Sequence, residues 1–255
     1  MNSPESLTLI RHGESNFNSI RKAREQDPLY RSFLEAYTAI PDSDLTRRLA
    51  IELRDMFPVK FGDHETPLTE SAGQQISDMA EKLKRIIAPP DVIFSSPYLR
   101  TLATLELMIK GWPELGNTKT IIDERLRERD HGLSLLYYDW RIFAALNPEQ
   151  RELREMQGKY WYRIPNGENM PDLRLRTDSW LSSLNINHAG EDVMGLTHYL
   201  PLLAVMASVM EFDTAEFERY DREDEPINAG VTIFHSVPHE EGQRLALKNY
   251  NMKLY

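Results

Sequence analysis

The chain has 255 residues, 41% hydrophobic and 27% charged, which suits one large globular domain or two small ones and excludes a disordered chain. It contains no cysteine, which excludes a disulfide, a thiolate nucleophile and any cysteine-ligated metal, so covalent chemistry must use another nucleophile. Forty acidic against 30 basic residues give a net charge of −10, which argues against a nucleic-acid partner and leaves an anionic ligand dependent on a local cluster of arginine and histidine.

In chain order, the first residues lack the basic region and small-residue cleavage site of a secretory signal. The apolar run Leu7–Ile10 is predicted as a buried strand and leads straight into Arg11-His12-Gly13. Residues 19–64 are mixed, charged and aromatic, and longer than an ordinary connection; they are read as an insertion over the mouth of a site. A helix is predicted from about Ser71 to Ile87. It opens with Ser71 and Gln74 at capping-box spacing and keeps Ile76, Met79, Ala80, Leu83, Ile86 and Ile87 on one stripe. A strand at Val92–Phe94 is followed by a helix beginning at Ser96-Pro97, with serine as cap and proline in the first position. A strand at Thr120–Ile122 precedes a second insertion at 131–168, and further strands are predicted at Val193–Leu196, Val231–Phe234 and Leu245–Leu247. The longest apolar run, Leu200 to Met210, is too short to span a bilayer, so the expectation is a soluble, cytoplasmic protein without a membrane partner. No repeat or linker interrupts the pattern, and strands alternating with helices predict a layered α/β fold.

In α/β folds, ligands bind at the carboxyl ends of strands, so residues following each strand are the place to look for chemistry. Arg11 and His12 follow the first. Ser95-Ser96-Pro97-Tyr98-Leu99-Arg100-Thr101 follows the second, with Arg100 one turn into a helix whose amino end favours anions. The charged run Leu126-Arg127-Glu128-Arg129-Asp130-His131-Gly132 follows the third, and Thr197-His198 closes the fourth.

These segments, in this order, resemble the histidine phosphatase (phosphoglycerate mutase-like) superfamily. The resemblance is carried by Arg11-His12-Gly13-Glu14-Ser15 with Asn18, Pro67-Leu68-Thr69, Ser96-Pro97 with Arg100, Thr101 and Thr104, Glu128, and Thr197-His198. The runs at 126–132 and 162–168, with Asp172 and Arg176, look most like an acid-phosphatase-like branch of it. The resemblance implies a single domain over residues 1–255. Its fold would be a three-layer α/β/α sandwich on a mainly parallel sheet, with insertions at about 19–64 and 131–168. It implies His12 as the nucleophile that takes a phosphoryl group, Glu128 as proton donor, Arg11, Arg100 and His198 as ligands of the phosphate oxygens, and Asn18 as a pocket residue. The activity implied is hydrolysis of a small phosphorylated substrate through a phosphohistidine, with no metal and no cofactor.

Other readings of the same residues stand beside these. His12 can be a turn histidine, Arg100 a partner of Glu106, and His198 a hydrogen-bonded core residue; Glu124 or Asp130 can be the acid in place of Glu128. His64, His131, His188, His235 and His239 fit no ligand spacing. Two positions depart from the family pattern: Tyr199 follows the second histidine where glycine is usual, and Ala72 stands where a helix-starting glycine is usual. The insertion at 19–64 carries Arg21, Lys22, Arg24, Arg31, Arg47 and Arg48, either for a second anionic group of a substrate or as part of a solvated flap. A mutase that returns the phosphoryl group to the same substrate class is the first rival; residues 131–168 offer Arg141 alone where mutases of this family carry paired arginines. A catalytically weak regulatory or interaction protein on the same fold is the second. Oligomeric state leaves no signal in the sequence.

Overall fold

A computed structural model describes residues 3–240 and 242–255. The six apolar runs all become strands: β1 Ser6–Arg11, β2 Val92–Ser95, β3 Lys119–Ile122, β4 Asp192–Thr197, β5 Val231–His239 and β6 Gly242–Met252. The helices are α1 Asn16–Gln26, α2 Pro28–Ala39, α3 Asp44–Met56, α4 Ala72–Leu83, α5 Leu99–Gly111, α6 Trp140–Leu146, α7 Pro148–Gln157, α8 Met170–Asn187, α9 Tyr199–Val209 and α10 Thr214–Glu223.

The chain divides into two compact units. One comprises Met1–Ser15, Pro67–Glu128 and Asp172–Tyr255; the other comprises Asn16–Thr66 and Arg129–Pro171. The stretches set apart in the sequence, 19–64 and 131–168, fall inside the second.

The first unit is built on one sheet in the order β3-β2-β4-β1-β5-β6. β3, β2, β4 and β1 run parallel, β5 pairs antiparallel with β1, and β6 pairs antiparallel with β5. Alternation along the strands feeds two faces. Ile10, Ile93, Met194, Leu196, Val231 and Ile233 pack with Ile76, Met79, Leu83, Leu105 and Met108 of α4 and α5. Phe94 instead meets Trp180 of α8 edge-on, and Gly195 lies against Leu9 and the same indole. Helices thus cover both faces of a mainly parallel sheet, which is the layered α/β architecture the sequence implied.

Two helix starts and one helix end differ from the sequence expectation. Ser71 already has helical dihedrals (φ −70°, ψ −19°) and makes no capping bond, because a cap needs an extended backbone to turn its oxygen onto the amide two or three residues on. α4 stops at Leu83 rather than Ile87, ahead of Pro89-Pro90, and leaves Ile86 exposed. α5 begins at Leu99, with Tyr98 rather than Ser96 as its cap residue.

The second unit has its own core, in which Tyr30, Phe33, Ala50, Leu53, Ile142 and Ala145 pack together. Asp27 caps α2 through Leu29 N–H (2.7 Å) with Pro28 in its first turn, and Ser43 caps α3 through Thr46 N–H (3.1 Å). Arg24 is fully buried there. Its guanidinium pairs with Asp139 at 3.1 Å and donates to the Tyr138 carbonyl at 3.0 Å, while Tyr30 donates to the same carboxylate at 2.6 Å. Burial and the Asp139 charge push the Tyr30 phenol up to about 12. Of the basic residues in the 19–64 segment, Arg24 therefore serves the interior of its own unit.

Candidate active site

Strand register explains why three distant segments converge. Arg11 pairs with Thr197 across the β1–β4 ladder, and Ser95 pairs with Leu196 across β2–β4. Two further backbone bonds continue those ladders past the strand ends, His12 N–H to Thr197 O and Ser96 N–H to Leu196 O, each 3.0 Å. Arg11-His12, Ser96 and His198 thereby leave the sheet side by side, and the first turn of α5 brings Arg100 in beside them. Gly13 lies close to α4: a Cβ there would fall 2.4 Å from Ile76 Cδ1, so the end of that side chain would have to move.

The centre is a guanidinium between two imidazoles. Arg100 Nε–H points at His12 Nε2 (3.2 Å) and His198 Nδ1 (3.1 Å), and the two rings meet edge-on with centroids 5.1 Å apart. All three side chains are buried. The partners fix both tautomers. His12 Nδ1 lies 2.6 Å from the Gly13 carbonyl, which only accepts, so Nδ1 carries the hydrogen and Nε2 keeps its lone pair. His198 accepts at Nδ1 and so carries its hydrogen on Nε2, which donates to Ser96 Oγ at 2.8 Å. Burial, then the Arg100 charge, holds both imidazoles well below the ordinary histidine value, so both are neutral. This arrangement replaces the surface-turn reading of His12 and directs Arg100 Nε to the histidines; Glu106 is exposed.

Arg11, also buried, donates from Nη1 to the Pro226 carbonyl, and its guanidinium lies over the ring of Tyr199. Glu128 lies within the charged run after β3. That run is tied down by Arg176, whose terminal nitrogens donate to the carbonyls of Arg125 (2.7 Å), Arg127 (2.8 Å) and Glu128 (3.0 Å), and by Thr197 Oγ1, which donates to Leu126 O at 2.8 Å. Of the three carboxylates weighed as the acid, Glu128 is 8% exposed whereas Glu124 and Asp130 are solvent-exposed. Asp130 N–H and carboxylate serve a local turn with Glu168 and Gly132. Asn18 is buried on α1 of the second unit and is not carried by a strand end.

Three supporting residues had no such role in the sequence reading. Ser96 Oγ accepts the Nε2 hydrogen of His198 instead of capping a helix. Thr104 Oγ1 accepts Gly13 N–H at 3.0 Å, and Asn228 Nδ2 donates to the carbonyls of His12 and Gly13 at 3.2 Å each, fixing the turn that bears His12. Of the remaining histidines, His188 pairs with Glu191 at 2.8 Å and His64 lies exposed beside Glu65. Among the described residues, no group of three or more His, Asp or Glu side chains is placed to hold a metal.

Burying two neutral histidines makes stability depend on pH. Below about 6.5 the unfolded chain takes up protons on both, whereas the fold resists them, so stability is full above about 6.5 and declines as pH falls. The midpoint of thermal unfolding, measured by calorimetry, is expected to drop between about pH 6.5 and 5. The drop should be shallower in a His12→Asn/His198→Asn double variant; an equal slope in both proteins would show that other groups control it.

A sequence model of the histidine phosphatase superfamily, branch 1, matches residues 59–251. The match begins after Arg11-His12-Gly13, and the residues between belong largely to the second unit. Among curated relatives, the Arabidopsis thaliana phosphoglycerate mutase-like protein AT74H is 26% identical over 62% of this chain and 60% of its own length. Phosphoserine phosphatase 1 of Hydrogenobacter thermophilus is 26% identical over 95% of this chain and 90% of its own. Among solved structures, the mycobacterial glucosyl-3-phosphoglycerate phosphatase Rv2419c, in complex with inorganic phosphate, superposes with a TM-score of 0.63 at 18% identity, over 98% of both chains, a likeness of fold. With more than half of its length matched by the family model, and with the strand-end histidines and arginines gathered as described, the chain belongs to branch 1 of the histidine phosphatase superfamily.

Proposed function

We propose that this protein is a phosphomonoester hydrolase that works through a phosphohistidine on His12. The observation that carries the reading is the fixed lone pair of His12 Nε2, held neutral and facing Arg100 beside a second neutral imidazole. In the first step that lone pair forms a bond to phosphorus while the bond to the ester oxygen breaks, and Glu128 gives its proton to the departing alkoxide. In the second, water attacks the phosphorus of phosphohistidine, Glu128 takes a proton from the water, and the P–N bond breaks to return neutral His12 and release inorganic phosphate.

Phosphoryl transfer asks chiefly for positioning and for cancellation of charge on the equatorial oxygens. Arg11 and Arg100 supply two forked, permanent cations, and His198 adds a neutral ring beside them. The resemblance adds Asn18 as a pocket residue, and its part in the reading rests on that alone. Because arginine carries the charge, the reaction is proposed to need no metal. The substrate is a small phosphorylated molecule, as the names of the phosphoserine and glucosyl-3-phosphoglycerate phosphatases indicate for those relatives. Among the described residues no helix is long and apolar enough to cross a membrane, which fits the proposed cytoplasmic location.

The test is phosphate release from a panel of sugar phosphates, nucleotides, phosphoglycerates and phosphoserine, with and without EDTA. Free phosphate and the parent alcohol are expected in equal amounts, at a rate unchanged by chelation. An isomeric ester formed without phosphate release would make the protein a mutase. Turnover of no substrate, with phosphate still bound, would make it a binding protein on this fold.

A further inference from the structure

Tyr199 occupies the position after the second histidine where the family resemblance leads one to expect glycine, and its surroundings give it a task. Arg11 Cζ lies 5.4 Å from the centroid of the Tyr199 ring, within the range of a cation–π contact. The Tyr199 hydroxyl donates to the Asp221 carboxylate, with the Asp221 carbonyl 2.9 Å away. Asp221 is buried near the end of α10, a helix started by a complete capping box between Asp213 and Glu216.

We infer that Tyr199, anchored by Asp221, positions the Arg11 guanidinium for the phosphate of the substrate. The guanidinium has two partners, the Pro226 carbonyl at Nη1 and the phenol ring over which its carbon lies. Two partners restrict its orientation more than one, which matters because the arginine fork matches phosphate oxygens only in the correct orientation. Burial and the neighbouring carboxylate keep the phenol protonated, so it remains a donor to Asp221. The ring that replaces glycine is thus a positioning residue acting through Arg11, and its hydroxyl ties it to α10. Ordering a long side chain before the ligand arrives removes that cost from binding.

The inference rests on the reading of this cluster as a phosphate site, and the experiment separates the two. Inorganic phosphate binding is measured by calorimetry, and steady-state kinetics are run in parallel, on wild type, Tyr199→Phe, Tyr199→Leu, Asp221→Ala and the Tyr199→Leu/Asp221→Ala double variant. Tyr199→Leu removes the aromatic face and is expected to weaken phosphate about 3- to 30-fold, with KM rising in parallel and kcat changing less. Tyr199→Phe keeps the face and loses the tether, so it should fall between wild type and Tyr199→Leu. Asp221→Ala should weaken phosphate in the wild-type background and add little once Tyr199 is leucine, since the two act in series. Partial misfolding would instead lower kcat at unchanged KM. Phosphate affinity and KM equal to wild type in Tyr199→Leu would overturn the inference, as would full additivity of the double variant. Failure of wild type to hydrolyse any phosphomonoester, with the affinity order intact, would remove the phosphatase reading and leave the positioning role standing.

Discussion

His12→Ala is expected to abolish phosphate release, by about 10⁴-fold or more, the scale on which covalent catalysis fails when its nucleophile is removed. No neighbour can take its place. His198 is fully buried, and its Nε2 carries the hydrogen that it gives to Ser96, so that nitrogen has no lone pair to offer. The chain has no cysteine, so no thiolate is at hand. The fold should survive. The turn that bears His12 is held by the side-chain amide of Asn228 and the hydroxyl of Thr104 rather than by the imidazole, whose own hydrogen goes to the next residue. Circular dichroism and unfolding temperature near pH 7.5 should therefore stay close to wild type. In wild type, rapid quenching with labelled substrate should trap phosphate on His12 in a form labile to acid and stable to alkali, and the configuration at phosphorus should be retained after two displacements. Label on another residue, inversion at phosphorus, or more than a trace of turnover in His12→Ala would each remove His12 from the nucleophile's role.

The central strands were legible because a sheet covered on both faces demands largely apolar runs such as Leu7–Ile10 and Val193–Leu196. The ends of those strands were legible for a different reason. Arg11, His12 and His198 follow apolar runs within two residues, Arg100 stands in the first turn of the helix after another, and parallel pairing must bring such strand ends to the same edge of the sheet. What holds these residues in place was not legible. Ser96 reads locally as a helix cap, and only the neighbouring strand reveals that its hydroxyl faces His198. Thr104 and Asn228 reach the His12 turn from far along the chain, and short polar side chains carry no periodic signal of such reach.

The second unit was the least legible part. α3 does show a buried stripe, Thr46, Ala50 and Leu53, but it is thin and set among charges. Arg24, fully buried, contradicts the rule that arginine lies outside, and only its pairing with Asp139 and Tyr138 reconciles the two. A helical unit assembled from two separate stretches of chain reads, in one dimension, as two irregular loops. Tyr199 was visible as a departure from the family pattern, yet its purpose required knowing that Arg11 and Asp221 lie on either side of it.

Glu128→Gln is expected to separate substrates by their leaving groups. An alkyl phosphate expels a strongly basic alkoxide, which needs a proton as the P–O bond breaks. Removing the donor should slow phosphorylation of His12 by about 10²–10⁴-fold. An aryl phosphate such as p-nitrophenyl phosphate leaves as a stable anion, so its pre-steady-state burst should be nearly unchanged, although hydrolysis of phosphohistidine, which asks Glu128 to take a proton from water, can slow for both. Gln keeps the size of the side chain, and Arg176 holds the segment through its carbonyls, so the substitution removes the proton without releasing the loop. Glu124→Gln and Asp130→Asn, at exposed positions of the same charged run, should leave both bursts at wild-type rates. Equal loss with both substrates in Glu128→Gln would make Glu128 a binding residue rather than an acid. A selective alkyl defect in Glu124→Gln or Asp130→Asn would move the proton donor there, because sensitivity to leaving-group basicity follows the group that delivers the proton.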